Sequence, residues 1–275
     1  SLRSAVARIG ILVNPDAGLG GKLGFKGSDG RAKEARSFGA EERAGPRMNQ
    51  SINRIFELLE LRKDLELEFI ICGGIMGSDW VLTEKFSNFE IIGNWTGDTS
   101  STDTSEAIEL LVGKNVDLIF YAGGDGTTRD IVKALENQNS SELPLIGVPS
   151  GVKMYSGCFA EDTDAAAEVL VAWVNGELGL SSTEVLDMNE EFYRNGEWKI
   201  DMFGEVITPA SPIWIQGSKH QIQAAGEEDV IESLSEHILE TYVQKEEFFI
   251  VWGAGGSLNK ISKNCNLSTS LLGID

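Results

Sequence analysis

The chain has 275 residues, 41% hydrophobic and 24% charged, with a formal charge of −20. Its length supports one large or two modest domains with a real core, and its composition is that of an ordinary soluble globular protein. So acidic a chain disfavours DNA, RNA and anionic membranes as partners, because each needs a concentrated basic face.

Arg8 to Asn14 is the first strand-like run. It empties into a glycine-rich loop, Asn14-Pro15-Asp16-Ala17-Gly18-Leu19-Gly20-Gly21-Lys22, followed by Gly24, Lys26 and Gly27. The loop lacks the Gly-Lys-Ser/Thr ending of a P-loop and the Gly-x-Gly-x-x-Gly of a dinucleotide fold. Because it leaves a strand, it reads as one wall of a phosphate site, with Lys22 and Lys26 adding positive charge. A flexible surface loop is the other reading. Asn49 to Arg62 follows as a helix, with Ile52, Ile55, Phe56 and Leu59 on one face. Leu67 to Cys72 and Glu90 to Gly93 read as strands. Asp103 with Glu106 resembles a capping box in front of a helix over Ala107 to Val112.

The apolar run Val116 to Ala122 ends in Gly123-Gly124-Asp125-Gly126-Thr127. Glycines at the end of a buried strand offer bare backbone N–H groups, and with no Cβ in the way a phosphate can approach closely. Gly-Asp-Gly also makes tight turns in any protein. A hairpin turn, however, would continue into a strand, whereas Thr128 to Asn137 reads as a helix. A glycine loop between strand and helix directs its N–H groups and the helix N-terminus at one anion. Asp125 stands in the middle of that loop. A phosphate cradle holding one carboxylate points to phosphoryl transfer, with Asp125 as base or metal ligand.

Leu145 to Val148 is a further strand, ending in Pro149-Ser150-Gly151-Val152-Lys153-Met154-Tyr155. Gly151 and Lys153 are candidates for the substrate side, where Lys153 would reach a phosphate or a developing charge. A solvated lysine at a domain junction is the alternative. Strand and helix in alternation, with continuous apolar runs, predict a parallel sheet covered on both faces. Ligands of such sheets sit at the carboxyl ends of the strands, where both glycine loops fall.

Beyond residue 160 the pattern changes. Asp162 to Asn175 reads as an amphipathic helix, then Thr183 to Asp187, Trp198 to Phe203, Glu205 to Thr208 and Ile213 to Gln216 as short antiparallel strands. An acidic helix over Glu228 to Val243 and a strand over Glu247 to Trp252 follow. The expected division is a nucleotide-binding α/β domain over 1–160 and a β-rich substrate domain over 161–275.

Three cysteines, Cys72, Cys158 and Cys265, stand far apart without a Cys-x-x-Cys spacing and read as reduced, mostly buried thiols. His220 and His237 are the only histidines, so a histidine acid–base pair or His-rich metal site is poorly supported. No protein metal site is expected. Ser1 to Arg8 lacks the apolar core of a signal peptide, and the apolar runs are too short to cross a bilayer, so the cytoplasm is the expected compartment.

Gly123-Gly124-Asp125-Gly126-Thr127 resembles the signature of the superfamily containing NAD kinases, diacylglycerol and sphingosine kinases and phosphofructokinase-type enzymes. The flanks are closer to one branch. Asn14-Pro15 with Ala17-Gly18, Gly20-Gly21 and Lys26-Gly27 resemble the ATP- or polyphosphate-dependent NAD kinases of archaea and bacteria. That branch includes the accessory protein of acetoin catabolism. Met76-Gly77, Asp103-Thr104, Gly151-Val152-Lys153 with Phe159-Ala160, and Glu184-Val185 with Asp187 match it too. So do Gln216 with Lys219, and Leu271 to Asp275. Members of the branch continue past that last stretch, so the second domain is expected to be short at its C-terminus.

The resemblance implies a Rossmann-like parallel-sheet domain joined to a β-rich domain, with the acceptor bound in the cleft between them. It implies ATP or polyphosphate with Mg²⁺ as donor, NAD as acceptor and NADP as product. Asp125 would be the catalytic base. Asn14, Gly18, Gly20, Gly21, Lys26, Gly123, Gly124, Gly126 and Thr127 would hold the nucleotide and its phosphates. The partners implied are small molecules and further copies of the chain, with no nucleic acid and no membrane. The alternatives are a kinase for another hydroxyl, on a lipid or a small polyol, and a non-catalytic nucleotide sensor or accessory protein.

Overall fold

A computed structural model describes residues 6–18, 42–62, 65–150, 154–188, 200–210, 235, 238, 239, 250–253, 256–267 and 269. The chain divides into two compact units, residues 1–188 with 200–211, and residues 189–199 with 212–275. The first unit runs past residue 160 to take in one more helix and a β-hairpin.

Five strands of the first unit form a wholly parallel sheet: β1 (Ala7–Val13), β2 (Leu67–Gly74), β3 (Phe89–Trp95), β4 (Leu118–Gly123) and β5 (Leu145–Pro149). Their order across the sheet is β3-β2-β1-β4-β5. The chain therefore builds outward from β1 to one side, then returns to add β4 and β5 on the other. Between β1 and β4 lies the topological switch point, where loops leaving adjacent strands diverge and leave a crevice.

Alternation along the strands sends side chains to two cores, as the two-residue period requires. Ile9, Ile11 and Val13 of β1, with Phe69, Ile71, Phe120 and Val148, face helices α1 (Ala44–Leu61) and α5 (Thr163–Val174). Leu12, Ile70, Ile119 and Tyr121 face the opposite way. There they meet α3 (Ser101–Gly113) and α4 (Asp125–Asn137), whereas a single turn after β2, α2 (Ser78–Val81), sends Val81 to the first core. Both faces are covered, so β1 and β4 read as nearly unbroken apolar runs.

After α5 the chain forms an antiparallel pair, β6 (Gly179–Met188) with β7 (Ile200–Ala210). Val185 and Val206 join the second core, which seats this hairpin within the first unit. The fold is α/β: a Rossmann-like parallel sheet with flanking helices, plus a separate two-stranded antiparallel sheet. In the second unit, α6 (Gly256–Asn264) contributes Ile261 to a small core with Trp252 and Cys265.

Several boundaries differ from the sequence reading, each for a local reason. Helix α1 begins at Ala44, five residues before the expected Asn49, because Pro46 lies in its first turn, where a missing N–H costs nothing. The capping box of α3 sits one turn earlier than Asp103–Glu106: Ser100 is the N-cap, and its N and Oγ donate to Asp103 Oδ2 at 2.8 and 2.7 Å. The strands expected at Trp198–Phe203 and Glu205–Thr208 are one strand, β7. Val185 pairs with Gly204 and Leu186 with Met202, so Phe203 is an extra, bulged residue at the apparent break. The expected strand Ile213–Gln216, the helix Glu228–Val243, and both histidines lie wholly or largely outside the described residues.

Candidate active site

The loops after β1 and β4 meet at the switch point. Asn14 N donates to Ala122 O at 2.9 Å, extending the β1–β4 ladder by one residue. The Asn14 side chain then bridges the two loops, with Nδ2 donating to Thr127 Oγ1 at 2.8 Å and Oδ1 accepting from Asp16 N at 3.1 Å. Gly18 has φ +83°, and a Cβ there would strike the Ser150 carbonyl. The first loop thereby closes against the segment that follows β5, and Ser150 N donates to Gly123 O at 3.2 Å.

The pentapeptide is partly helix. Helix α4 opens at Asp125 rather than Thr128, so Gly126 and Thr127 belong to its first turn. Its first backbone bond runs from Thr128 N to Gly124 O at 3.0 Å. The amides of Asp125, Gly126 and Thr127 precede that bond and have no partner within the helix. Gly124 N donates to Thr127 Oγ1 at 3.3 Å, so one threonine hydroxyl ties together both loops and the helix start. At Gly123 a Cβ would lie 2.6–2.7 Å from three side-chain atoms of Thr127, so the close packing here requires glycine. The result is a helix N-terminus backed by a glycine loop, an arrangement suited to a phosphate.

Asp125 is buried, at 7% exposure, at the first position of α4, where the helix dipole favours a carboxylate. Its Oδ2 accepts from Tyr155 N at 2.9 Å. Its Oδ1 accepts from Ser156 N at 2.9 Å and from Ser156 Oγ at 2.7 Å. The same serine hydroxyl reaches β6, lying 3.0 Å from Leu186 O and accepting from Leu186 N at 3.1 Å. One residue on, Asp187 pairs with Arg129 at 2.8 Å, and that guanidinium lies 5.5 Å from the Phe203 ring centroid.

Behind α4, Tyr121 OH lies 2.5 Å from Thr128 Oγ1 and 3.3 Å from Cys158 Sγ. Burial raises the Tyr121 hydroxyl well above its ordinary range and pushes the Cys158 thiol up to about 11. Burial raises Cys72 as well. All three cysteines are buried, unpaired thiols.

The structure thus brings Asn14, Gly18, Gly123, Gly124, Asp125, Gly126 and Thr127 to one edge of the sheet. Gly20, Gly21, Lys26, Gly151 and Lys153 lie outside the described residues. The sequence reading missed Ser156, whose link to Asp125 is tertiary and carries no local pattern. It also missed two arginines at the start of α1. Arg47 Nη1 donates to Pro149 O at 2.6 Å, and Arg43 Cδ lies 3.3 Å from where a Cβ of Gly18 would be. An earlier start for α1 would have placed both at the mouth of the glycine loops.

Among the described residues, no group of three or more His, Cys, Asp or Glu side chains is placed to hold a metal ion. Asp125 gives three of its lone pairs to N–H and O–H donors, so these residues form no protein cage for a divalent cation. Mg²⁺ commonly binds through substrate phosphates and waters instead. Also among the described residues, no helix is long and apolar enough to cross a membrane.

No curated protein matches the chain. A solved structure from Bacillus anthracis str. Sterne, provisionally named a diacylglycerol kinase, is similar at 14% identity and a TM-score of 0.32. The match covers 69% of this chain and 48% of that one, so the chain spans about half the length of the structure it matches. Over residues 9–178, which hold most of β1, all of β2 to β5 and both glycine loops, the sequence matches the ATP-NAD kinase N-terminal domain, and the chain belongs to that family.

Proposed function

We propose that this protein is a phosphotransferase of the NAD kinase type. It moves the terminal phosphoryl group of ATP or polyphosphate to the 2′-hydroxyl of the NAD adenosine ribose, giving NADP. The reading rests on one observation above the others: the Asn14 bridge to Thr127 at the switch point, beside the buried carboxylate of Asp125. Membership of the ATP-NAD kinase N-terminal domain family supports it.

In this mechanism the donor phosphates lie against the amides of Asp125, Gly126 and Thr127 and the Asn14 loop. Gly18, Gly20, Gly21, Lys26, Gly123 and Gly124 contribute to the same cradle, and Gly151 and Lys153 stand on the acceptor side. Asp125 accepts the proton of the acceptor hydroxyl as its oxygen attacks the terminal phosphorus. The bond from that phosphorus to the bridging oxygen breaks, and the shortened donor leaves with the electron pair. General-base help of this kind is worth about 10²–10⁴-fold. Positioning and charge stabilisation at the phosphoryl group supply much of the rest. Mg²⁺ enters with the donor as part of the substrate. The partners are small molecules and further copies of the chain, and the compartment is the cytoplasm.

The test is direct. The purified protein is incubated with Mg²⁺ and either ATP or polyphosphate, NAD is offered, and NADP is measured. NADP formation from either donor is the expected result. Phosphorylation of a lipid or polyol in place of NAD would replace the acceptor, and nucleotide binding without turnover would replace the enzyme by a sensor.

A further inference from the structure

The site holds a serine that the reaction scheme above does not use. We propose that Ser156 is a positioning residue for Asp125, fixing the carboxylate so that Oδ2 is the atom that takes the acceptor's proton; this rests on the phosphotransferase reading of the site.

A carboxylate oxygen has two lone pairs to offer. Oδ1 of Asp125 uses both, on Ser156 N at 2.9 Å and Ser156 Oγ at 2.7 Å. Oδ2 takes one donor, Tyr155 N at 2.9 Å, and among the described residues keeps its second lone pair open. The proton leaving the acceptor hydroxyl therefore goes to Oδ2. The O–H bond breaks there, the O–P bond forms, and the phosphorus–bridge bond gives its electrons to the departing donor fragment. The proton is returned to water after release.

Ser156 suits both charge states of its neighbour. Its hydroxyl has one proton but two acceptors within reach, Asp125 Oδ1 at 2.7 Å and Leu186 O at 3.0 Å. An ionised carboxylate is the stronger acceptor, so the proton points to Asp125 before the reaction. Once Oδ2 is protonated that advantage falls, and a rotation about Cβ–Oγ turns the proton to Leu186 O. Throughout, Oγ accepts from Leu186 N at 3.1 Å, so no buried group is stranded in either state. The serine is 4% exposed, which keeps water from taking over this duty. The two backbone amides are fixed donors and cannot follow the charge.

The experiment compares wild type, Ser156→Ala and Ser156→Thr in steady-state NADP formation. Donor affinity is measured by calorimetry, and folding by thermal melting. The expected result is a kcat for Ser156→Ala lower by about 10–10²-fold, part of the roughly 10²–10⁴-fold that a general base contributes, because Asp125 itself remains. KM for NAD and donor affinity should stay within about twofold, and Ser156→Thr should recover most of the lost kcat because it keeps the hydroxyl. Ser156→Ala with wild-type kcat would overturn the proposal while leaving the kinase reading intact. A threonine variant that melts like wild type yet is as slow as alanine would also overturn it. Wild-type protein that phosphorylates neither NAD nor a lipid or polyol hydroxyl with either donor removes the kinase reading, and the role of Ser156 with it.

Discussion

On the β1 side the first turn of α4 meets glycine loops joined by a single side-chain bridge, whereas on the β6 side it is closely bonded. The β1 side has glycines at 18, 123 and 124, one bridging asparagine, and the hydroxyl of Ser150, which is fully buried and has no hydrogen-bond partner among the described residues. On the β6 side, three donors converge on Asp125, and Ser156 carries the network into Leu186. The contrast assigns separate duties. On the proposed reading the glycine side receives the ligand, and a carboxylate held by three donors keeps one geometry. Variants on the first side should move binding, and those on the second should move turnover.

The largest effect is expected at Asp125. Asp125→Asn should lower kcat for NADP formation by about 10²–10⁴-fold, the usual worth of a general base, while calorimetric donor affinity changes little. Near-normal turnover would remove Asp125 from the chemistry and dissolve the contrast. Gly123→Ala comes next. Its Cβ meets Thr127 at 2.6 Å, so the loop must shift, and overpacking of this kind costs about 1–3 kcal/mol. Urea unfolding should show that loss, accompanied by weaker donor binding.

Ser150→Ala sharpens the binding side with two opposed signs. Removing a buried hydroxyl that lacks a partner among the described residues should raise stability by about 1 kcal/mol, the scale of an unmet hydrogen bond. Donor affinity should fall several-fold, because a group stranded in the free protein is explained by a ligand that completes it. Stabilisation with unchanged donor affinity would make Ser150 a packing defect.

Cys158, behind both sides, should show the smallest effect. Its thiol is pushed up to about 11 by burial and stays protonated at neutral pH, so alkylation of the native protein should be slow and activity unchanged. In the unfolded chain the same thiol ionises near its ordinary value of 9. Between pH 9 and 11 the native state therefore binds more protons than the unfolded state, and stability should fall as pH rises through that window. A Cys158-dependent rise in stability over that range would contradict the buried, neutral thiol.

Much of the first unit was legible in the sequence because its strands are fully buried. β1, β2, β4 and β5 are continuous apolar runs closed by turn residues, and no competing pattern obscures them. β3 was read too short, since it lies at the rim with Phe89 and Ile91 exposed and its apolar signal is diluted. The start of α4 was misplaced because Gly-Asp-Gly-Thr is turn chemistry in isolation, and only the Thr127 back-bond to Gly124 N reveals it as a helix start. The Asn14 and Asp125 loops were legible as glycine motifs. The partners of Asp125 were not. Two of its three donors are main-chain amides about thirty residues away, and no side-chain pattern encodes a backbone amide.

The strand order also bears on how the molecule is made. β1 is the central strand and the first to be synthesised, yet one of its neighbours arrives at Leu67 and the other at Leu118. Until then its hydrogen-bonding edges stay open, and non-local parallel pairing of this kind is slow and prone to association. Asn14 likewise waits for Thr127, 113 residues later, before the two glycine loops can be joined. A nascent chain stopped between β3 and β4 would hold the first loop with nothing to dock against, so the site is among the last features of this sheet to mature.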